Sequence, residues 1–125
     1  MDVLRFDATE DLPYVMFDNS KGVFEIAKRS LPENAILFYE PLIEHVTEYL
    51  RTPKEETNVI LHFDYISTSS TKQVMKMIMQ FDELSKTKKV NLNWNYDIGD
   101  TDMLQTGSRL EKLTGMKFLF NEVRS

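Results

Sequence analysis

The sequence predicts a single α/β domain of two layers, in which helices pack mainly on one face of a mixed β-sheet. Three observations lead to this prediction. The chain has 125 residues, the length of one ordinary domain with one core. Strand-like and helix-like segments follow one another in the order ββα-βα-βα-β, which is typical of a sheet with crossover helices. Two of the strand-like segments carry polar residues at every second position, which predicts one uncovered sheet face.

The first two strands are predicted to form a β-hairpin. Residues 14–18 and 23–29 are rich in strand formers, and residues 19–22 between them favour a turn. A helix is then expected to begin at Ser30. Ser30 and Glu33 have the spacing of a capping box, in which each side chain satisfies a free amide at the start of a helix.

Pro41 is expected to kink or split this first helical segment. Proline has no N–H to donate, and its ring crowds the preceding turn. The apolar face after Pro41 consists of Leu42, Val46, Tyr49 and Leu50, and residues 52–53 end the helix. The charged residues 54–58 are interpreted as a linker.

The second half of the chain alternates strands with helices. Residues 59–65 and 90–96 show strand periodicity, a helical pattern runs to about Ser85, and residues 117–120 form a short last strand. The first of these strands is predicted to bury Val59, Leu61, Phe63 and Tyr65. After a loop at 97–101, a third helix is marked by Met103, Leu104, Leu110 and Leu113 and is stopped by Gly115.

Composition narrows the possible functions. Lys and Arg number 15 against 20 Asp and Glu, for a net charge of −5, so no positive field favours nucleic acid or a membrane surface. The absence of Cys excludes disulfides, thiol nucleophiles and thiolate metal sites, and it fits a reducing compartment. Because no basic, apolar leader or long apolar stretch is found, we expect a cytoplasmic protein.

A run of hydroxyl side chains lies where a predicted strand ends and a helix begins. The run consists of Ser67, Thr68, Ser69, Ser70 and Thr71. One interpretation is that these hydroxyls cap the helix by accepting its free amides. The other is that the positive end of a helix, at the C-terminal edge of the sheet, carries a phosphoryl group. The spacing alone leaves both open.

An aspartate-rich loop is the main candidate for a metal or catalytic site. Asp97, Asp100 and Asp102 offer carboxylate oxygens, but their spacing is not that of a calcium-binding helix-loop-helix, and we expect one of them to cap the third helix. His45 and His62 lie on different predicted elements and make a poor metal site. We therefore expect no metal and no cofactor. The alternative is a small acid-base or metal-assisted enzyme that uses this loop with His62.

Several short segments occur in an order and spacing that match a known family along nearly the whole chain. They are residues 22–26, 29–34, 38–41, 49–50, 63–70, 94–96 and 100–103, with Lys72 and Gly107. Together they resemble the SiaC family of regulatory phosphoproteins, a STAS-like group related in fold to anti-sigma-factor antagonists. Three positions depart from the family pattern: Ser67 replaces Asn, Leu31 replaces Tyr, and no Trp lies near His45.

The resemblance implies a STAS-like fold and a protein that is not itself an enzyme. It implies that a cognate kinase phosphorylates Thr68, that a PP2C-like phosphatase resets it, and that the unphosphorylated form binds and regulates a target, a diguanylate cyclase in studied relatives. Kinase or partner contacts near the phosphorylated loop are implied for Ser67, Ser69, Ser70, Lys72, Pro32, Glu33 and Asn34. A constitutive interaction module, whose hydroxyls are never modified, is a further alternative.

Overall fold

The polypeptide forms one mixed β-sheet with a helix after each of three consecutive strands. The computed structural model describes residues 3–124. The strands are β1 (Val3–Phe6), β2 (Tyr14–Asp18), β3 (Val23–Ser30), β4 (Glu56–Ile66), β5 (Lys89–Asp97) and β6 (Leu119–Val123). The helices are α1 (Ala35–Tyr49), α2 (Thr68–Ser85) and α3 (Thr101–Thr114). Across the sheet the order is β1-β2-β3-β4-β5-β6.

The strand order explains why all three helices lie on one face. The pairs β1/β2 and β2/β3 are antiparallel, whereas β3/β4, β4/β5 and β5/β6 are parallel. A helix connects each parallel pair, and such crossovers are right-handed. Three crossovers that advance in the same direction place their helices on the same side. The predicted mixed sheet with helices on one face is confirmed.

The core lies between the helices and the covered face of the sheet. Val59, Leu61 and Phe63 of β4 and Leu92 and Trp94 of β5 are at most 3% exposed, as their alternation predicts. The other face of the sheet carries a ladder of amide side chains. The Asn91 amide donates to Asn58 Oδ1 over 2.9 Å, and the Asn121 amide donates to Asn95 Oδ1 over 2.9 Å. These polar residues therefore satisfy one another across the strands.

Helix α1 does not begin at Ser30, so that prediction is wrong. Ser30 is the last residue of β3 and pairs with Ile66 of β4. The N-cap is Asn34, whose Oδ1 accepts a hydrogen bond from the Leu37 N–H over 3.1 Å. Glu33 is exposed and lies outside the helix. The helix starts later because the sheet continues through Ser30 and its hydroxyl is bonded inside the core.

Pro41 does not split α1, which is one continuous helix. Tyr39 and Leu42, on either side of the proline, are both completely buried. Packing on the sheet therefore holds both halves of the helix together and outweighs the hydrogen bond that Pro41 lacks.

The prediction that Tyr65 is buried is also wrong. The β3/β4 register runs from Lys28 opposite Phe63 to Arg29 opposite Tyr65, so Asp64 is an extra residue in β4. Such a bulge reverses the in-and-out alternation beyond it. Tyr65 is consequently 43% exposed.

Element boundaries differ from the predictions in several places. Strand β1 was not predicted, because it is a four-residue edge strand with alternating exposed positions. Strand β4 begins at Glu56, so most of the predicted linker 54–58 is strand. Strand β6 begins at Leu119, two residues later than expected. Leu113, expected on the buried face of α3, is 64% exposed.

The packing of α3 on β5 depends on Gly107. A Cβ at Gly107 would lie 2.4 Å from Trp94 Nε1, and Trp94 is fully buried with its Nε1–H donating to the Met103 carbonyl over 3.0 Å. Alanine normally favours a helix over glycine by about 1 kcal/mol, but here the clash prevails.

We predict that Gly107→Ala lowers the free energy of unfolding by about 1–3 kcal/mol, the usual range for an overpacked core. Denaturant unfolding followed by circular dichroism measures the change. Ser108→Ala, one residue further along the same helix, is the control and should stay within about 0.5 kcal/mol of the unsubstituted protein. An unchanged or higher stability of Gly107→Ala would contradict the role of this close contact.

Candidate functional site

Ser67 is the N-cap of α2, and the connection from β4 to α2 is a single residue. Its Oγ accepts a hydrogen bond from the Ser70 N–H over 3.1 Å. Its own N–H donates to the Ser30 carbonyl at the end of β3 over 3.0 Å. Capping by the hydroxyl run is thus confirmed for Ser67. Thr68 is the first residue of the helix rather than a loop residue.

Four buried hydroxyl groups form a connected set beneath this helix start, here called the hydroxyl network. They belong to Ser30, Tyr39, Ser67 and Ser70. Ser70 Oγ accepts from Ser67 Oγ over 2.9 Å and from Ser30 Oγ over 3.0 Å. Ser30 Oγ lies 2.7 Å from the Tyr39 hydroxyl. Because Ser30 has one hydroxyl proton, which it gives to Ser70, Tyr39 is the donor in that contact.

The members of the hydroxyl run differ in exposure, and the two that belong to the hydroxyl network are the buried ones. Ser67 is 8% exposed and Ser70 is completely buried. Thr71 is half-buried, and its Oγ1 donates to the Ser67 carbonyl over 2.9 Å. Thr68 and Ser69 are exposed. These two hydroxyls are the members of the run most open to another protein.

The other residues expected near Thr68 lie at the same edge of the sheet. Strands β3 and β4 are parallel neighbours, so the turn after β3 and the start of α2 leave the sheet side by side. In that turn Pro32 is buried, whereas Glu33 and Asn34 are exposed. Lys72 is exposed one helical turn beyond Thr68.

Apolar side chains that the sequence did not single out are exposed at this edge. Ile36 and Leu37, in the first turn of α1, are 61% and 65% exposed. Tyr65 is exposed as well, with the Arg29 guanidinium 4.8 Å from its ring centroid. Helical periodicity gives no signal for the first pair, and only the bulge in β4 places Tyr65 outside.

The three aspartates of the loop have different surroundings and do not form one site. Asp100 caps α3 by accepting from the Met103 N–H over 3.0 Å, as expected for one of the three. Asp97 Oδ1 lies 2.9 Å from His62 Nε2 on the open face of the sheet, and Asp102 is exposed in the first turn of α3. His45 lies on α1. Within residues 3–124, no group of three His, Asp or Glu side chains is placed to hold a metal ion.

The fold and the exposed hydroxyl pair fit a small α/β regulatory protein. A family model described as "SiaC family regulatory phosphoprotein" matches residues 6–123, and the chain belongs to that family. An uncharacterized protein of Pseudomonas aeruginosa strain UCBPP-PA14 is 26% identical over 98 residues, which cover 78% of each chain. The described part of the chain contains no helix of the length and apolar character needed to cross a membrane.

Solved structures share this architecture. SiaC of Pseudomonas aeruginosa aligns over 100% of both chains with a TM-score of 0.84 and 22% identity. A second match is the crystal structure of the diguanylate cyclase SiaD in complex with its activator SiaC from the same species. It covers 96% of this chain and 99% of that chain, with a TM-score of 0.86 and 21% identity. These similarities establish the fold.

Burial of Tyr39 makes stability depend on pH in the alkaline range. Desolvation raises the pKa of the Tyr39 hydroxyl to about 12, whereas an unfolded chain has the ordinary value of about 10. As the pH rises, the unfolded state therefore loses this proton first. The contribution of the protonated Tyr39 hydroxyl to the free energy of unfolding is therefore fully present below about pH 10 and is lost as the pH rises through about 12.

We predict that, between pH 10 and 12, the free energy of unfolding falls by about 2–3 kcal/mol less in Tyr39→Phe than in the unsubstituted protein. At neutral pH the substitution should cost about 1 kcal/mol, since Ser30 loses a buried donor. Urea unfolding at a series of pH values measures both effects. Tyr65→Phe removes an exposed hydroxyl outside the network and should keep the decline of the unsubstituted protein. Equal alkaline profiles for Tyr39→Phe and the unsubstituted protein would contradict this account of the network.

Proposed function

We propose that this protein is a cytoplasmic partner switch controlled by phosphorylation of Thr68. A cognate kinase adds the phosphate, and a PP2C-like phosphatase removes it. The unphosphorylated form binds and regulates a target protein, such as a diguanylate cyclase. The protein has no catalytic activity of its own and acts through this contact.

The observation that carries the proposal is the exposure of Thr68 above a buried, hydrogen-bonded support. Ser67 and Ser70 hold the helix start through the hydroxyl network, so the hydroxyl of Thr68 is presented on a fixed backbone. A kinase needs an accessible acceptor in a defined position, and the buried Ser67 and Ser70 do not provide one. Among the neighbouring hydroxyls, Ser69 is the remaining rival.

The surroundings of Thr68 favour a switch in binding rather than a change in fold. A phosphate adds about −1.5 to −2 charges and three acceptor oxygens. Ile36, Leu37 and Tyr65 expose apolar surface at the same edge, and apolar surface suits contact with a partner. A phosphate buried in such a contact would have a large desolvation cost, even beside a cation. The unphosphorylated form is therefore the binding form.

Family membership and one complex support the choice of target. The chain belongs to a family of regulatory phosphoproteins. One structure with the same fold is a complex of the diguanylate cyclase SiaD with its activator SiaC. We infer that a diguanylate cyclase is the class of target to test first.

We predict that the protein isolated from its native cells carries phosphate on Thr68. Mass spectrometry of its peptides locates the group, and incubation with the cognate kinase and ATP should add it at the same residue. Thr68→Ala should abolish the modification, whereas Ser69→Ala, which removes the neighbouring exposed hydroxyl, should retain it. Phosphate found on Ser69 of the Thr68→Ala variant would move the acceptor site by one residue.

We also predict that Thr68→Ala keeps target binding, whereas Thr68→Glu weakens it by about tenfold, or about 1.4 kcal/mol. Only partial loss is expected, because a carboxylate has about one charge against nearly two for a phosphate. Calorimetry with a diguanylate cyclase from the same organism measures affinity, and circular dichroism verifies that each variant is folded. Tighter binding by Thr68→Glu would reverse the direction of the switch.

A further inference from the structure

A groove between α2 and α3 begins at Thr68. On α2 the lining residues include Thr68, Lys72 and Met75, and on α3 they include Arg109, Leu110 and Leu113. The α2 residues are spaced by four and three positions, and on α3 Leu113 follows Arg109 by four positions and Leu110 by three, so each set lies on one helical face. The groove therefore has an apolar floor, a hydroxyl at one end and a basic residue on each wall.

In the part of the chain that the structure describes, the two basic residues of the groove have no partner of opposite charge. Lys72 and Arg109 are exposed, and neither takes part in an ion pair within residues 3–124. Lys76 on α2 and Lys112 on α3 likewise form no ion pair among the described residues. What distinguishes the groove is that its lining combines two cations with no acidic residue. The unmodified groove thus holds two positive charges and no anion to match them.

We propose that Lys72 and Arg109, one from each wall of the groove, form a receptor for the phosphate of phosphorylated Thr68. This inference rests on the proposed function for its biological role. Lys72 lies four residues after Thr68, the favourable order for an anion followed by a cation on a helix. Arg109 offers a planar guanidinium from the opposite wall, a group suited to bidentate contact with phosphate oxygens.

The receptor changes the character of the surface as well as its charge. Before phosphorylation the groove presents two cations above Met75, Leu110 and Leu113, which suits a partner with carboxylates. After phosphorylation nearly two negative charges cancel both cations. A partner then loses its charge complementarity in the groove. Phosphorylation of Thr68 in this way changes the charge of the groove surface on both helices.

The test uses the full-length protein with phosphothreonine installed at position 68 by genetic encoding. Phosphorus NMR across a pH series reports the second ionisation of the phosphate. Cations favour the dianion, so this ionisation should occur at lower pH in the unsubstituted phosphoprotein than in Lys72→Gln or Arg109→Gln, with a difference of about half a pH unit or more. Lys76→Gln removes a cation from α2 outside the groove and should change nothing. Arg109→Lys keeps the charge and should restore part of the effect.

Two results would overturn the proposal. If Arg109→Gln titrates like the unsubstituted phosphoprotein, the phosphate is held by its own helix and not across the groove. If Lys72→Gln and Arg109→Gln both leave the ionisation unchanged, the phosphate faces solvent. Circular dichroism of each variant excludes unfolding as a cause. Since the phosphate is installed without a kinase, failure of this test is distinct from a failure to find Thr68 phosphorylated in cells.

Discussion

The hydrogen bonds among Ser30, Tyr39, Ser67 and Ser70 are the constraint on which the candidate site depends. They join the end of β3, the middle of α1 and the start of α2 at one buried point. A buried hydroxyl without a partner costs about 1–3 kcal/mol, so each member of this set holds the others in place. The start of α2 is thereby fixed against two other elements. Buried residues therefore hold the backbone of Thr68 in a defined position, although its hydroxyl is exposed.

Helix geometry explains why two exposed hydroxyls lie next to two buried ones at the start of α2. Ser67 and Ser70 are three residues apart, so they face the same direction, and that direction is the core. Thr68 and Ser69 lie between them and point to solvent. Strands β3 and β4 are parallel, so the connections that follow them leave the sheet at the same edge. The turn after β3 therefore lies near Thr68. The exposed Tyr65 joins this surface through the bulge in β4. A modification here changes the surface and leaves the core packing intact.

The one-sided helical layer gives the molecule two different faces. Three consecutive right-handed crossovers cover one side of the sheet, and the other side carries asparagine side chains that bond to one another across strands. His62 and Asp97 are paired on that open face. The groove between α2 and α3, which Lys72 and Arg109 line, is instead on the helical side and adjoins Thr68. The exposed hydroxyls of Thr68 and Ser69 and the two cations of the groove lie on the helical side.

The features that could be predicted from the sequence are those that depend on residues close together in the chain. Alternation identified the buried strands, and the local rules of capping placed the end of α3 at Gly115, one helix cap among three aspartates and another within the hydroxyl run. The roles of Ser30 and Tyr65 depend instead on contacts made in the folded chain. The sequence around Ser30 matches a capping box, but the Ser30 hydroxyl donates to a residue 40 positions away. This long-range hydrogen bond takes the place of a helix cap. Tyr65 fitted the buried alternation, but the pairing of β3 with β4 inserted a bulge before it. Contacts between residues distant in sequence leave no periodic signal, and for that reason the motif pointed to Thr68 as a candidate acceptor while nothing in the sequence pointed to the buried network beneath it.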